Sequence, residues 1–416
     1  MKSDAKKLNA LSVQLYGRQI GVITRLAGDR QLFAFEQDYI DDEKRPTLSL
    51  SFKGSTGGLV THFRPVGRRV PAFFSNLLPE GHLREYLAKR ADVNPEREFF
   101  LLAVLGADLP GALVVAPLEG GDQPTIAHHE HDEDDHHDDD HAGKEALRFS
   151  LAGVQLKFSA LMEASGGLTI PAGGIGGSWI VKLPSARFAS VPENEFAMLE
   201  LARRAGIAVA ENQLVDVEKI KGLPQEANTV GGKALAVRRF DRLPGGEHVH
   251  MEDFAQVFGQ YPNAKYKFRS YANIAAVLWA ESGEEATWEF VRRLVFSVMI
   301  GNADMHLKNW SLLYPDRRTP VLSPGYDFVA TLPYLPDDTL GLSFGGSRSL
   351  SEITPDQMRR FADGARIPAS PLWQIAVETA GRTAAAWKGL EQADLLPKDL
   401  RNAIEKQIHT VAATVT

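Results

Sequence analysis

The chain has 416 residues, of which 44% are hydrophobic and 24% charged, with a formal net charge of −7 and no cysteine. The length suits two or three domains and the composition is that of a globular protein, while the lack of cysteine excludes disulfide bonds, thiolate zinc sites and cysteine nucleophiles. No apolar run reaches the ~18 residues of a membrane helix and the N-terminus has no signal-peptide pattern, so we expect a cytoplasmic protein without membrane contact.

The N-terminal part predicts a small β-rich domain over residues 1–120. Apolar alternation indicates strands, with a turn at Gly17 between the first two, and helical spacing follows further along. The predicted strands cover 11–16, 18–25, 31–35, 46–52 and 112–116, and the predicted helices cover 82–90 and 96–105.

Residues 121–146 form the clearest break in composition. The tract at 128–141 contains eight acids and six histidines, and without those acids the rest of the chain carries a charge of +1. Such a tract cannot bury apolar area, which predicts a solvated loop or linker, although imidazoles beside carboxylates would also suit metal capture. The nearly neutral remainder offers no basic surface for direct nucleic-acid binding.

A second β-rich unit is predicted over 147–243. It begins with two strands around a small-residue turn at 152–154, where Lys157 could pair with a phosphate, although such a turn is also an ordinary hairpin. The glycine-rich stretch 166–177 is followed by a strand rather than a helix, which argues against a dinucleotide loop. Lys182 lies in that apolar strand, so it is either an edge residue or a phosphate-binding lysine.

The helix predicted over 193–206 carries Glu195 in its first turns. A strand lysine followed by a helix glutamate is the kinase arrangement, although an acid near a helix N-terminus is favourable in itself. Strands are predicted at 214–217 and 233–242. The end of the second strand could be a hinge where Phe240 covers an adenine, or Phe240 could be an ordinary core residue.

Residues 244–416 are predicted to be mainly helical, with a polar loop at 301–309. Asp304 and Asn309 stand in the order D-x-x-x-x-N, in which a carboxylate accepts a hydroxyl proton and an amide oxygen holds a metal on the nucleotide phosphates. Asp327 supplies a second carboxylate for that metal. The predicted helices cover 251–258, 270–280, 286–300, 355–363, 371–390 and 397–411, and the predicted strands cover 310–314 and 320–322.

Taken in order, these motifs resemble the HipA family of bacterial type II toxin-antitoxin serine/threonine-protein kinases. The resemblance is carried by FSLAGVQLKFSAL, WIVKLP, ENEFAMLELA, ALAVRRFDR, EDFAQVFG, GNADMHLKNWSL and PGYDF, and FFSNLLPEG resembles the family's N-terminal part. It implies a two-lobed α+β protein-kinase-like fold with a β-rich N-lobe, an extra N-terminal β-rich subdomain and an all-α C-lobe.

The resemblance also implies ATP, Mg²⁺ and transfer to a protein serine or threonine, with an aminoacyl-tRNA synthetase as the family-type target and growth arrest or persistence as the outcome. It assigns Asp304 as the catalytic base, Asn309 and Asp327 as metal ligands, Lys182 as the ATP lysine and Ser150 as an autophosphorylation site. The other ATP contacts that it implies are Ala152, Gly153, Val154, Gln155, Lys157, Arg238, Arg239, Phe240, His306, Leu307, Lys308 and Tyr326. Arg238 departs from the pattern, since a glutamate is usual in that hinge.

A HipB-like helix-turn-helix antitoxin is the implied partner, through which any DNA contact would be indirect. Three alternatives stay open on the sequence. They are a small-molecule phosphotransferase of the aminoglycoside-kinase type, a catalytically silent pseudokinase that serves as a scaffold, and a metal-storage protein built around the tract at 128–141.

Overall fold

The structure, a computed structural model, describes residues 8–118, 157–162, 168–171, 176–185, 187–223 and 231–415. The tract at 128–141, Ser150 and the predicted ATP contacts Ala152, Gly153, Val154 and Gln155 lie outside the described residues.

The N-terminal subdomain is built on a five-stranded antiparallel sheet with the order β4-β3-β2-β1-β5. Its core is rich in phenylalanine, and the rings of Phe33 and Phe74 pack edge to face at 4.9 Å. The strands are β1 Ala10–Leu15, β2 Arg18–Leu26, β3 Arg30–Phe35, β4 Val66–Gly67 and β5 Leu113–Pro117. The helices are α1 Gln37–Asp41, α2 Ala72–Ser75, α3 Gly81–Arg90 and α4 Glu98–Leu105.

The strand expected at 46–52 is wrong, because the chain forms a short 3-10 helix over Leu50–Phe52. The Ser49 hydroxyl accepts the backbone N–H of Ser51, and the backbone N–H of Leu50 donates to the Glu252 carboxylate at 2.9 Å. The backbone N–H groups of Leu50 and Ser51 therefore donate to side chains and are not available for pairing in a sheet.

The described part of the N-lobe contains a six-stranded sheet with the order β10-β7-β6-β8-β11-β9, in which β7 and β10 pair in parallel and the other neighbours pair antiparallel. One helix, α5 Val191–Arg204, packs against β11 and β9. Pro192 in its first turn and two arginines in its last turn favour helix there. The strands are β6 Lys157–Met162, β7 Leu168–Thr169, β8 Trp179–Lys182, β9 Asn212–Asp216, β10 Ile220–Lys221 and β11 Lys233–Arg238.

The C-lobe is helical apart from a three-stranded sheet with the order β12-β13-β14, so the expectation of an all-α lobe is wrong in this respect. The helices are α6 Phe254–Val257, α7 Tyr271–Glu281, α8 Glu284–Met299, α9 Pro355–Ala365, α10 Ser370–Trp387 and α11 Lys398–Ala412. The strands are β12 His250–Asp253, β13 Ser311–Tyr314 and β14 Val321–Leu322.

The helix expected over 251–258 divides at Asp253. Asp253 and Gln256 form a capping box that starts the short helix α6, while the residues before it pair with β13. An apolar stretch of this length does not distinguish strand from helix, so the cap and the distant partner strand decided the outcome.

The core of the C-lobe surrounds α8, which packs against α7 and α10. From Leu294 to Met299 every residue of α8 is buried. This helix carries the chain directly into the loop at 301–309. Among the residues that the structure describes, no helix is both long and apolar enough to cross a bilayer.

Candidate active site

Gly301 ends α8 and aims the polar loop into the space between the lobes. Its φ is +70°, in the left-handed region where glycine is favoured, and a side chain there would meet Leu332 at 3.0 Å. The backbone N–H groups of Gly301 and Asn302 donate to the carbonyls of Val298 and Ser297, which closes the helix. The loop therefore begins at a fixed point at the end of α8.

Two buried polar residues that the sequence did not single out hold the loop in shape. The Asn302 side-chain oxygen accepts the N–H of Asp304 at 3.1 Å, and its amide nitrogen donates to the carbonyl of Asp327 at 3.3 Å. The Thr331 hydroxyl accepts the N–H of Ala303 at 2.7 Å and donates to the carbonyl of Gly301 at 3.1 Å. Asn302 could have been noticed as a polar residue directly after a helix-ending glycine, whereas Thr331 has no signal in the sequence.

Asp304 lies at the centre of this loop. Its carboxylate accepts a hydrogen bond from the Tyr266 hydroxyl, another residue that the sequence did not indicate. Its backbone carbonyl accepts the Asn309 side-chain amide at 2.6 Å and the N–H of His306 at 3.0 Å. The D-x4-N spacing thus joins Asp304 and Asn309 directly, with the Asn309 amide oxygen as the atom that could hold a metal.

On the other side of the cleft, Lys182 forms buried ion pairs with Glu195 and Asp327. The strand register places Lys157 of β6 opposite Lys182 of β8, and the Lys157 amine lies 3.9 Å from the other oxygen of Asp327. Asp327 has a φ of +55°, an uncommon backbone conformation for an aspartate that is typical of functional sites. The kinase-like pairing of strand lysine and helix glutamate is therefore present in the fold.

Within this cluster, Lys182 and Asp327 stabilise each other's charged form. Burial by itself would lower the pKa of Lys182, but the carboxylates of Asp327 and Glu195 raise it above its usual value. Burial would likewise raise the pKa of Asp327, yet Lys157 and Lys182 bring it well below its usual range. Lys182 and Asp327 consequently stay ionised at neutral pH.

These side chains line a single cleft. Its walls are formed by Lys157, Lys182, Val191, Glu195, Asn302, Asp304, Asn309, Asp327, Val329 and Thr331. Within the described residues there is no group of three histidine or acidic side chains that could hold a metal by itself. A carboxylate and an amide oxygen fit Mg²⁺, which uses few protein ligands and takes the rest from phosphates and water.

Three other residues of the loop take different positions. His306 is 2% exposed, neither of its ring nitrogens has a hydrogen-bond partner within the described residues, and its ring meets Tyr266 edge-on at 5.0 Å. Burial, reinforced by Lys265 and Lys308, holds the pKa of His306 well below its usual value, so the imidazole is neutral. Leu307 is fully buried in the core. The Lys308 amine binds Glu80 and the carbonyl of Asn76 in the N-terminal subdomain and does not line the cleft.

The two arginines of the predicted hinge form ion pairs within the protein. Arg238 pairs with Glu211 at 2.8 Å on the surface, and Arg239 is buried in ion pairs with Asp108 and Asp241. These guanidinium groups are engaged within the protein, and the backbone N–H groups of Arg238 and Arg239 donate to the carbonyls of Glu211 and Ser178.

Phe240 and Tyr326 lie against each other, with their ring centroids 5.6 Å apart. The Tyr326 hydroxyl donates to the carbonyl of Lys308 at 3.0 Å and lies 2.6 Å from the Ser311 hydroxyl. Tyr326 thereby connects the hinge with the polar loop.

Comparisons with known proteins cover nearly the whole chain. The family model of the HipA N-terminal domain matches residues 11–116, and that of the HipA-like C-terminal domain matches residues 149–387. The Sinorhizobium fredii protein Y4dM is 50% identical over 408 residues, which are 97% of this chain and 98% of that protein. The serine/threonine-protein kinase toxin HipA of Shewanella oneidensis is 26% identical over 378 residues, 83% of this chain and 82% of the toxin.

A solved structure confirms the two-lobed α+β architecture. A chain in the complex of Shewanella oneidensis HipA, HipB and their operator DNA is similar with a TM-score of 0.72 and 22% identity. The likeness covers 97% of this chain and 96% of that chain.

Proposed function

The chain belongs to the HipA family, and from this premise we propose that it is a cytoplasmic, ATP-dependent serine/threonine-protein kinase and the toxin of a type II toxin-antitoxin system. The observation that carries the proposal is the meeting of Asp304, Asn309, Asp327 and Lys182 at one cleft. In this proposal residues 147–243 bind ATP, and residues 244–416 carry the base and the metal ligands.

Each of these side chains has a role that follows from its chemistry. Asp304 accepts the proton of the substrate hydroxyl while the hydroxyl oxygen forms a bond to the γ-phosphorus of ATP. The bond between the γ-phosphorus and the oxygen that bridges it to the β-phosphorus breaks, and its electron pair leaves with ADP. Lys182, oriented by Glu195, binds the α- and β-phosphates. Asn309 and Asp327 would hold Mg²⁺, which when bound neutralises charge on the phosphates.

Two residues outside the lining of the cleft support these roles. The Tyr266 hydroxyl bonds one oxygen of Asp304 and thereby fixes the orientation of the carboxylate. The neutral, buried ring of His306 packs edge-on against Tyr266 and adds no charge near the phosphates. These contacts support a preorganised base, which an inactive scaffold would not need.

The substrate and partner are proposed from the family. We assign a protein serine or threonine as acceptor, with an aminoacyl-tRNA synthetase as the first target to test. The solved Shewanella oneidensis complex contains HipA, HipB and operator DNA, and we extend to this chain a HipB-like antitoxin through which DNA contact is indirect.

Ser150 is the proposed site of autophosphorylation. A phosphate there would add about two negative charges close to the turn at 152–155 and would oppose the binding of ATP. Intact-mass spectrometry after incubation with ATP should show one added phosphate on the parent chain and none on Ser150→Ala; an equal gain of phosphate in the two proteins would remove Ser150 from the assignment.

The central test replaces the base. Asp304→Asn keeps the size of the side chain and its backbone hydrogen bonds but cannot accept the proton, so we expect phosphoryl transfer to fall by about 10²-fold or more with little change in thermal stability. The measurement is transfer of labelled phosphate from ATP to purified aminoacyl-tRNA synthetases, with an aminoglycoside as the alternative acceptor.

Two outcomes would contradict the proposal. Equal transfer by the parent and Asp304→Asn would indicate a scaffold without this chemistry. Transfer to the aminoglycoside but to no protein would indicate a small-molecule phosphotransferase.

A further inference from the structure

One carboxylate of the N-terminal subdomain lies between two lysines of the C-lobe. Glu80 accepts a hydrogen bond from the Lys308 amine at 2.8 Å with one oxygen, and from the Lys265 amine at 2.8 Å with the other. Although burial raises the pKa of Glu80, the two lysines bring it well below its usual range. The Glu80 carboxylate therefore stays ionised at neutral pH.

Both lysines are part of the segments that form the catalytic site. Lys308 lies between His306 and Asn309 in the polar loop. Lys265 precedes Tyr266, whose hydroxyl donates to Asp304, and the carbonyl of Lys265 accepts the N–H of Leu307 at 3.2 Å. One carboxylate thus fixes the two segments that meet at Asp304.

Glu80 itself stands on a firm support. It precedes α3, and Arg84 in that helix pairs with Glu98, which is 4% exposed. Glu98 also accepts the hydroxyl of Ser75 at 2.9 Å. These contacts fix α3 in the subdomain, and Glu80 at the start of α3 can therefore transmit the position of the subdomain to the two lysines that it binds.

A second contact reinforces the first. The carbonyl of Asn76 accepts the Lys308 amine at 3.0 Å, and the Asn76 amide donates to the carbonyl of Gln260 at 2.6 Å. Residues 76–80 therefore bond both the polar loop and the segment that leads to Tyr266. In this arrangement the Lys308 amine serves the contact between domains.

We propose that Glu80 is a positioning residue for phosphoryl transfer. It acts through Lys308 and Lys265 to set the polar loop and Tyr266, and so the orientation of Asp304, without touching ATP or the acceptor. The inference rests on the proposed kinase function and deepens it, because it makes the N-terminal subdomain a working part of the catalytic site.

The test compares two isosteric changes at ion pairs between the same two parts of the chain, the two pairs of Glu80 and the single pair of Glu281. Glu80→Gln weakens the contact at the site, and Glu281→Gln breaks the surface pair of Lys53 and Glu281, whose atoms lie 2.7 Å apart. We expect Glu80→Gln to lower kcat by about tenfold to a hundredfold with little change in the KM for ATP. Glu281→Gln should leave both constants near those of the parent.

A second readout does not depend on activity. Hydrogen–deuterium exchange of the peptide that contains residues 302–309 should be faster in Glu80→Gln than in the parent or in Glu281→Gln. If Glu80→Gln does not fold, Lys265→Gln removes one of the two contacts and should change exchange in the same direction.

Unchanged exchange in the peptide, or equal effects of Glu80→Gln and Glu281→Gln, would overturn the inference. A parent that transfers no phosphate would instead contradict the proposed function, while the exchange data still decide the role of Glu80.

Discussion

At the scale of single residues, the site depends on side chains that shape the backbone around the reacting groups. Asn302 is 1% exposed and bonds both the N–H of Asp304 and the carbonyl of Asp327. It therefore joins the proposed base to the proposed metal ligand. Removal of the Asn302 side chain would take this hydrogen-bond partner from the N–H of Asp304 and from the carbonyl of Asp327.

Asn302→Ala is expected to lower kcat by about tenfold to a hundredfold, because a small misplacement of Asp304 or Asp327 disturbs the geometry of transfer. The thermal midpoint should fall only modestly, since the loss is about 1–3 kcal/mol. The assay is phosphoryl transfer under single-turnover conditions beside thermal unfolding. Asn94→Ala is the matched control, because Asn94 makes a similar bond to the N–H of Glu96 in the N-terminal subdomain. Equal kcat values for the two variants would contradict a role for Asn302 in the site.

At the scale of elements, the turn at 108–111 and the segment 239–242 share a buried charge cluster. Arg239 and Arg242 both pair with Asp108 and with Asp241, at distances from 2.7 to 3.1 Å. The two positive and two negative charges balance, and Gly111 adds backbone bonds to Asp241 and Arg242. Asp108 also accepts the Ser159 hydroxyl at 3.3 Å, so the cluster reaches the first described strand of the N-lobe.

Asp108→Asn should destabilise the protein by about 3–5 kcal/mol, because it leaves one buried guanidinium charge without compensation. The Asp108 side chain is only 8% exposed, so solvent cannot take over that role. The measurement is the thermal or urea midpoint. The control is Asp42→Asn, which removes an exposed pair with Arg18 and should leave the midpoint unchanged. If both variants unfold at the same midpoint, the cluster does not stabilise the fold as described.

At the scale of the whole molecule, the N-terminal subdomain binds the rest of the chain through buried polar contacts at several places. Besides Glu80 and Asp108, the Ser49 hydroxyl donates to Glu252 of β12 at 2.5 Å, and the N–H of Leu50 donates to it at 2.9 Å. The Tyr314 hydroxyl supplies a third hydrogen bond at 2.5 Å. Burial raises the pKa of Glu252 to about 7, so this interface holds a proton near neutral pH.

That proton makes stability depend on pH. In the unfolded chain Glu252 loses its proton near pH 4.5, whereas in the folded protein it keeps it to about pH 7. The folded state binds more protons between these values, so the contribution of Glu252 to stability falls as pH rises through that window. Glu252→Gln cannot titrate, and its thermal midpoint relative to the parent should rise from pH 5 to pH 8.

The comparison with the parent isolates Glu252 from its neighbours. Burial lowers the pKa of His250 to about 4 and raises that of Asp253 to about 6, but both groups are present in the two proteins, so the difference between the midpoints reports mainly the titration of Glu252. The thermal midpoints are measured in buffers of equal ionic strength. A difference between the two midpoints that is the same at pH 5 and pH 8 would show that Glu252 does not carry this proton.

The sequence by itself determined the order of the chemical groups and most of the elements that carry them. The strand of Lys182, the helix of Glu195 and the loop of Asp304 and Asn309 lie where periodicity and spacing predict them, because these signals depend on neighbours within one or two turns of chain. Asp327 followed from its place after the loop. The contact of Lys182 with Glu195 was expected from the kinase-like order and is present in the structure.

Only the tertiary structure decided which polar groups meet across the molecule. The partner of Ser49 lies 203 residues away, and that contact turned an expected strand at 46–52 into a short 3-10 helix. Glu80 lies in the FFSNLLPEG motif and Tyr266 in none of the motifs, and the roles of both appear only when distant segments are brought together. The physical reason is that a buried polar side chain is defined by the partner that satisfies it, and the local sequence does not contain that partner.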